Sequence, residues 1–302
     1  MTTKNFWRGV LPALTTPFQA DGSVDHDFLA KHVKIMMDAG CTGIVALGSL
    51  GETATLTFEE KRAVLATTVK AVGSSGVVLS GIAALSTAEA IRAARMAEEV
   101  GCGGLMVLPP YVYSTDWREM KAHMSAVIAA TRLPCMLYNN PIAYRTDFLP
   151  EQVAQLAAEH ANLVAIKESS ADIRRIAAIR ALIKDRLQIL VGVDDIIVEG
   201  VAAGATGWVA GLVAAFPRES VQLYQLAMQG KTAEATRLYH WFLPLLRLDT
   251  VPKFVQLIKL TQEMVGMGPS RVRAPRLELA GAEREAAVRI IQHAIDTRPT
   301  LP

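Results

Sequence analysis

Cysteine is scarce in this chain. Only Cys41, Cys102 and Cys135 occur, an odd number, far apart and each among apolar neighbours, so they suit neither a disulfide framework nor a zinc site. None lies in a nucleophile motif, and they read as reduced core residues. An excess of one charge is also missing. Thirty-one Lys and Arg stand against 29 Asp and Glu, a formal net charge of +2, and no long basic block offers a footprint for nucleic acid or anionic lipid. Long hydrophobic runs are absent too, since no segment has the roughly 20 uninterrupted apolar residues of a membrane helix. The opening "MTTKNFWRGVLPALTTPF" breaks its apolar stretch with proline and polar residues, unlike a secretory signal. A cytoplasmic protein with a small-molecule partner, and no nucleic acid or membrane partner, is expected.

Apolar residues are what the chain has in quantity. Of its 302 residues 51% are hydrophobic and 20% charged, the profile of a globular chain with a large core. Short runs rich in valine, isoleucine and leucine alternate with stretches of helical periodicity. The strand candidates are "GVLPALTT", "GIVALGS", "VVLSGIA", "GLMVLPP", "PCMLYNN", "LVAIKES", "QILVGVD" and "TGWVAGL". Each is almost continuously apolar, as parallel strands covered on both faces are. The helical stretches between them often begin at Asp, Ser or Thr and end at Gly. This alternation predicts a (β/α)8 TIM barrel of the α/β class. A doubly wound open sheet is the alternative, but its first strand-to-helix turn, "TTPFQADGSVD", has no G-x-G-x-x-G. Four further helical segments follow from about residue 217, and the last three exceed what closes a barrel. The expected division is a barrel over 1–225 and a C-terminal helical extension, packed on it, over 226–302.

In such barrels the active site lies at the C-terminal ends of the strands, which directs attention to "GSLGET", "YNNP", "IKESS" and "GVDD". Lys167 ends an apolar strand. Low-dielectric surroundings favour its free amine, which can attack a carbonyl and form a Schiff base whose iminium is an electron sink. The alternative is a structural ion pair with Glu168 or another carboxylate. Tyr138, one strand earlier, can shuttle protons to that amine or simply pack as an aromatic. Glycines flanking Ser49 permit close backbone approach, and the serine hydroxyl with nearby amides can hold a carboxylate. The alternative there is a tight turn in which Thr53, Thr55 or Thr57 helps cap the next helix. His26, His32, His123, His160, His240 and His293 fall on helical segments without HExxH-like spacing and read as surface or packing residues. Asp194 and Asp195 read as helix cap and dipole partners. No metal is expected.

Taken together, "GVLPALTTPF", "GSLGETATLTFEEK", "LYNNP", "AIKESS" and "GVDD" resemble the dihydrodipicolinate synthase and N-acetylneuraminate lyase family of Schiff-base barrels over nearly the whole chain. The resemblance implies Lys167 as the Schiff-base lysine, Tyr138 as the proton-shuttling phenol and Ser49 as a ligand of the 2-oxo acid carboxylate. The expected substrate-binding set is Gly48, Ser49, Leu50, Gly51, Asn140, Tyr144, Arg145, Gly192 and Gly207. Tyr144 and Arg145 are expected to read the distal part of the substrate, or else to be interface residues. No organic cofactor or metal is implied, and a homotetramer built as a dimer of dimers is.

Three positions depart from the synthases. Leu50 replaces the motif's second hydroxyl, Ala143 stands in the place of their arginine with Arg145 two residues on, and Val112 stands where they carry a tyrosine given to a neighbour's proton relay. With "YNNPIAYR" and "GWVAGLVAAFPRESV", these changes make the chain look closer to a catabolic branch that includes 4-hydroxy-1-pyrroline-2-carboxylate deaminases. The favoured activity is therefore a Schiff-base deaminase and dehydratase. A pyruvate-dependent aldolase and a non-catalytic barrel that binds a 2-oxo acid are the alternatives.

Overall fold

The structure, a computed structural model, describes residues 6–110 and 116–301; Val112 lies outside the described residues. Eight strands occur in chain order, β1 (Gly9–Pro12), β2 (Gly43–Ala46), β3 (Val77–Ile82), β4 (Gly104–Val107), β5 (Cys135–Asn139), β6 (Leu163–Glu168), β7 (Gln188–Val191) and β8 (Gly207–Ala210). All pair in parallel in the order β1-β8-β7-β6-β5-β4-β3-β2. At the β1/β2 seam the Thr42 amide donates to the Val10 carbonyl (3.0 Å) and the Leu14 amide to the Val45 carbonyl (2.9 Å), so the sheet is nearly closed as a (β/α)8 barrel. Nearly every strand residue is buried, which is why these runs read as continuous rather than alternating.

The outer layer comprises α1 (His26–Asp38), α2 (Phe58–Val72), α3 (Thr87–Val100), α4 (Trp117–Ala129), the single turn α5 (Pro141–Tyr144), α6 (Pro150–Glu159), α7 (Ile173–Ile183), α8 (Ile197–Ala202) and α9 (Pro217–Met228). Most of their starts follow from side-chain caps. Asp25 accepts from the Phe28 amide, Ser86 accepts from the Glu89 amide, and Thr57 forms a capping box with Glu60 on α2. Gly101 closes α3 at φ 94°, a left-handed conformation open to glycine at little cost. Five of the six histidines lie on helices; His160 instead follows α6 as its C-terminal cap. The three cysteines are buried and unpaired, and burial pushes their thiols up to about 12, which leaves them inert at neutral pH.

The extension consists of α10 (Thr232–Leu246), α11 (Phe254–Met264) and α12 (Gly281–Asp296). The expected junction at 225/226 falls inside α9, the barrel's last outer helix, whose apolar face runs on to Leu226; the extension starts after that helix ends at Met228. It is bound to the barrel. Phe242 of α10 meets Phe216 edge to face at 5.9 Å, and Lys259 of α11 reaches back to Glu52 at 2.5 Å. The three ammonium protons of Lys259 find three acceptors, Glu52 Oε1 and the carbonyls of Thr16 and Arg271 (both 2.8 Å). Full hydrogen bonding of this kind is what makes a buried cation tolerable. Among the described residues no helix is long and apolar enough to cross a membrane.

Candidate active site

Lys167 is the penultimate residue of β6, in register with Tyr138 on β5 and Leu190 on β7. Strand alternation sends Lys167 and Glu168 to opposite faces. Glu168 is accordingly held elsewhere, accepting from Asn139 Nδ2 (3.1 Å) and the Ser170 amide (2.7 Å), so an ion pair between these neighbours does not form. Lys167 is only 7% exposed, and its Nζ lies 4.4 Å from the centroid of the Tyr138 ring. Burial lowers its pKa from the ordinary lysine value, against the opposing pull of Asp249 and then Asp194. Gly192 makes room for it. A Cβ at that position would stand 2.6 Å from Lys167 Cε and 2.7 Å from Cγ, so glycine here accommodates the lysine stem.

Tyr138 is also buried, and its phenol is pushed up to about 12 by that burial. Asn140 orients it by donating from Nδ2 to Oη at 2.9 Å, while Asn140 Oδ1 accepts the Ala143 amide and caps α5. That turn ends at Arg145, a left-handed residue (φ 58°). The Arg145 side chain is exposed and makes no hydrogen bond or ion pair among the described residues. Tyr144, one residue earlier, packs edge to face on Tyr138 with centroids 5.9 Å apart, and its hydroxyl contacts that of Ser49. A line of groups therefore runs from Lys167 through Tyr138 and Tyr144 to Ser49 on the loop after β2.

The "GSLGET" loop is shaped by two left-handed residues other than glycine, Leu47 (φ 60°) and Glu52 (φ 53°), a conformation that persists only where surroundings over-determine it. Those surroundings are visible. Gly81 permits the Leu47 carbonyl to approach within 2.4 Å of where a Cβ would be, and Glu52 is fastened by Lys259 and by the Arg273 amide (3.0 Å). The Gly51 carbonyl accepts from Thr16 Oγ1 (2.7 Å). Gly48 has only Met106 Cε nearby, at 3.5 Å from a would-be Cβ, and Leu50 is packed into the core. Gly207 is placed differently from the other expected site residues: it opens β8 rather than ending it, pairing with Gly9 and Leu190.

Two carboxylates near Lys167 escaped the sequence reading. Asp194, expected as a helix cap and dipole partner, lies inside the Asp194–Ile196 turn rather than capping it. It is fully buried and accepts from Trp208 Nε1 (3.1 Å), the Gly211 amide (3.1 Å) and the Leu212 amide (2.9 Å); burial still raises its carboxyl to about 6. Asp249 arrives from the extension, on the short turn Arg247–Asp249, with its Oδ1 2.1 Å from where a Cβ on Gly211 would be. The paired aspartates of "GVDD" were a visible signal for Asp194, whereas "RLDT" offered none for Asp249. Among the described residues no group of three or more His, Cys, Asp or Glu side chains is arranged to hold a metal ion.

Comparison with known proteins gives the family and the fold. The model of the dihydrodipicolinate synthetase family matches residues 6–294. The chain is 33% identical to 4-hydroxy-tetrahydrodipicolinate synthase of Methanothrix thermoacetophila, over 94% of this chain and 95% of that protein. It is 33% identical to the protein of the same name from Methanoculleus marisnigri, over 94% and 98%. Among solved structures, dihydrodipicolinate synthase from Bacillus anthracis superposes with a TM-score of 0.91 at 28% identity, covering 97% of this chain and 99% of that one. The enzyme from Aquifex aeolicus gives 0.90 at 28% identity, covering 95% and 97%. With a barrel of this closure and a family match along almost its entire length, the chain belongs to the dihydrodipicolinate synthetase family and is a class I lyase of that family.

Proposed function

We propose that Lys167 forms a Schiff base with a 2-oxo acid or cyclic imino acid, and that the resulting iminium drives bond cleavage or elimination at the neighbouring carbons. The observation that carries this reading is the lysine itself, buried at a strand end, its stem accommodated by Gly192 and its Nζ against Tyr138. Burial favours the nucleophilic free amine. Ser49 and the amides of its loop are suited to the substrate carboxylate, with Tyr138 as the proton carrier beside the nitrogen. The iminium is the electron sink, so this chemistry calls for no metal or organic cofactor.

The finer reading is deamination of 4-hydroxy-1-pyrroline-2-carboxylate. Lys167 attacks C2 of the cyclic imine and the ring opens to an enzyme-bound iminium. The 4-hydroxyl leaves as water, and release of the terminal amine with hydrolysis gives 2-oxoglutarate semialdehyde and ammonia. Leu50 and Ala143 support it, because neither supplies the polar group carried by the synthases at that position, while Arg145 is exposed beside Tyr144. Incubation with this imine, followed by assays for ammonia and pyruvate, is the test. Ammonia is expected; pyruvate released from a longer 2-oxo acid, with no ammonia from the imine, would favour the aldolase instead. We also propose a homotetramer. Exposed Ile142 beside the mouth and Leu85, 64% and 56% exposed, support burial against another copy, and sedimentation velocity at micromolar protein measures it.

A further inference from the structure

Two carboxylates act electrostatically on Lys167, and their surroundings differ. Asp194 is fully buried and held by Trp208 Nε1 and the amides of Gly211 and Leu212, donors that favour its anion. Asp249 is half-buried and receives no hydrogen bond among the described residues. Its place is nevertheless fixed. The Arg247–Asp249 turn is tied to the neighbouring turn by Arg247 Nε to Asp195 Oδ2 at 3.5 Å, Tyr239 Oη donates to the Asp195 carbonyl, and the Asp249 carboxyl rests on Gly211. Where two carboxylates act on one cation, the one with fixed donors holds its negative charge more firmly, and the one without them takes up and gives back a proton more readily. The charged groups acting on Asp249 are Lys167 from β6 and Asp194 and Asp195 from the Asp194–Ile196 turn. Burial first, then Asp194, push its carboxyl well above the usual range; Lys167 opposes and Asp195 adds.

We propose that Asp249, delivered to the barrel mouth by the helical extension, is a catalytic acid–base that moves a proton to and from C3 of the 2-oxo acid bound to Lys167, with Asp194 as the fixed counter-ion. The proposal rests on the Schiff-base reading above. Two proton positions have to be served, the nitrogen with its carbinolamine oxygen and the carbon C3. Tyr138, from β5, lies against Nζ and serves the first. Asp249 approaches from the β8 side and serves the second. The C3–H bond breaks, its proton passes to the Asp249 carboxylate, and its electron pair becomes the C2=C3 bond as the C2=N pair moves onto nitrogen. The return step reverses these movements and restores the iminium. A carboxyl raised toward neutrality is suited to both directions.

Pyruvate in D2O is a sufficient probe. Wild type, Asp249→Asn and Asp249→Ala are compared by NMR for loss of the methyl proton signal, and by borohydride trapping for the adduct. Asp249→Asn keeps the shape of the side chain but cannot take up a proton, so it should trap pyruvate within about threefold of wild type while exchanging methyl protons at least about 100-fold more slowly. Added formate should accelerate exchange in Asp249→Ala. Exchange by Asp249→Asn within about threefold of wild type, or loss of the adduct together with exchange, overturns the role of Asp249. Absence of any adduct in the wild type, across pyruvate and other 2-oxo acids, overturns the Schiff-base reading itself and this proposal with it.

Discussion

Replacing Gly192 with alanine strikes directly at the lysine. The added Cβ would stand 2.6 Å from Lys167 Cε, 2.7 Å from Lys167 Cγ and 2.0 Å from Ser169 Oγ, whereas carbons in favourable contact are about 3.5–4.0 Å apart. The lysine stem therefore has to retreat by about 1 Å. Its freedom to do so is small, because it is buried and its Nζ is against the Tyr138 ring. A displacement of about 1 Å at a reacting group costs on the order of 100-fold in rate, and overpacking a core position costs about 1–3 kcal/mol of stability. The assays are the initial rate of borohydride-trapped adduct with pyruvate and thermal unfolding. In a Lys167→Ala background the two lysine contacts vanish while that with Ser169 remains, so the stability cost of Gly192→Ala should shrink by about 0.5–3 kcal/mol. An undiminished trapping rate, or the same cost in both backgrounds, would refute the packing argument.

Tyr138→Phe should slow adduct formation by about 10²–10⁴-fold with little change in thermal unfolding, as followed by trapping and calorimetry; an unchanged rate would remove the phenol from proton transfer. Breaking the Glu52–Lys259 pair with Lys259→Met leaves a buried carboxylate whose nearest cation is then Arg276, at 3.7 Å, at a cost of up to about 3–5 kcal/mol in urea unfolding. Glu52→Gln with Lys259→Met should recover part of that loss. His32 is buried, donates from Nε2 to the Ala214 carbonyl at 2.7 Å, and is lowered by desolvation to about 4. The unfolded chain then binds the extra proton between about pH 6.5 and 4. Stability should fall by about 3 kcal/mol as the pH drops through that window, and His32→Gln should flatten the profile.

The barrel was legible because each strand is buried on both faces and many of its helices carry their own start signal. Asp25, Thr57 and Ser86 are local devices, visible one residue at a time. The place of Lys167 at a buried strand end was legible for a related reason, since a cation at the end of an apolar run is anomalous without any partner in view. What could not be read were contacts made across the chain. Asp194 resembles a cap until Trp208, Gly211 and Leu212 fold over it. Asp249 lies 82 residues beyond Lys167 in sequence, in a helical stretch whose composition points only to packing. Glu52, in the middle of the most recognisable motif, takes its meaning from Lys259, 207 residues away. Strand periodicity places side chains on faces, but it is silent about which remote segment supplies the opposing charge.

The central claim is that Lys167 is the nucleophile. Borohydride reduction of the protein with pyruvate and a panel of 2-oxo acids, followed by peptide mass mapping, addresses it without requiring the physiological substrate. A stable adduct on Lys167 alone, absent from the Lys167→Ala protein, is the result the account predicts. An unmodified Lys167 across the panel, or an adduct located on another lysine such as Lys259, would contradict it.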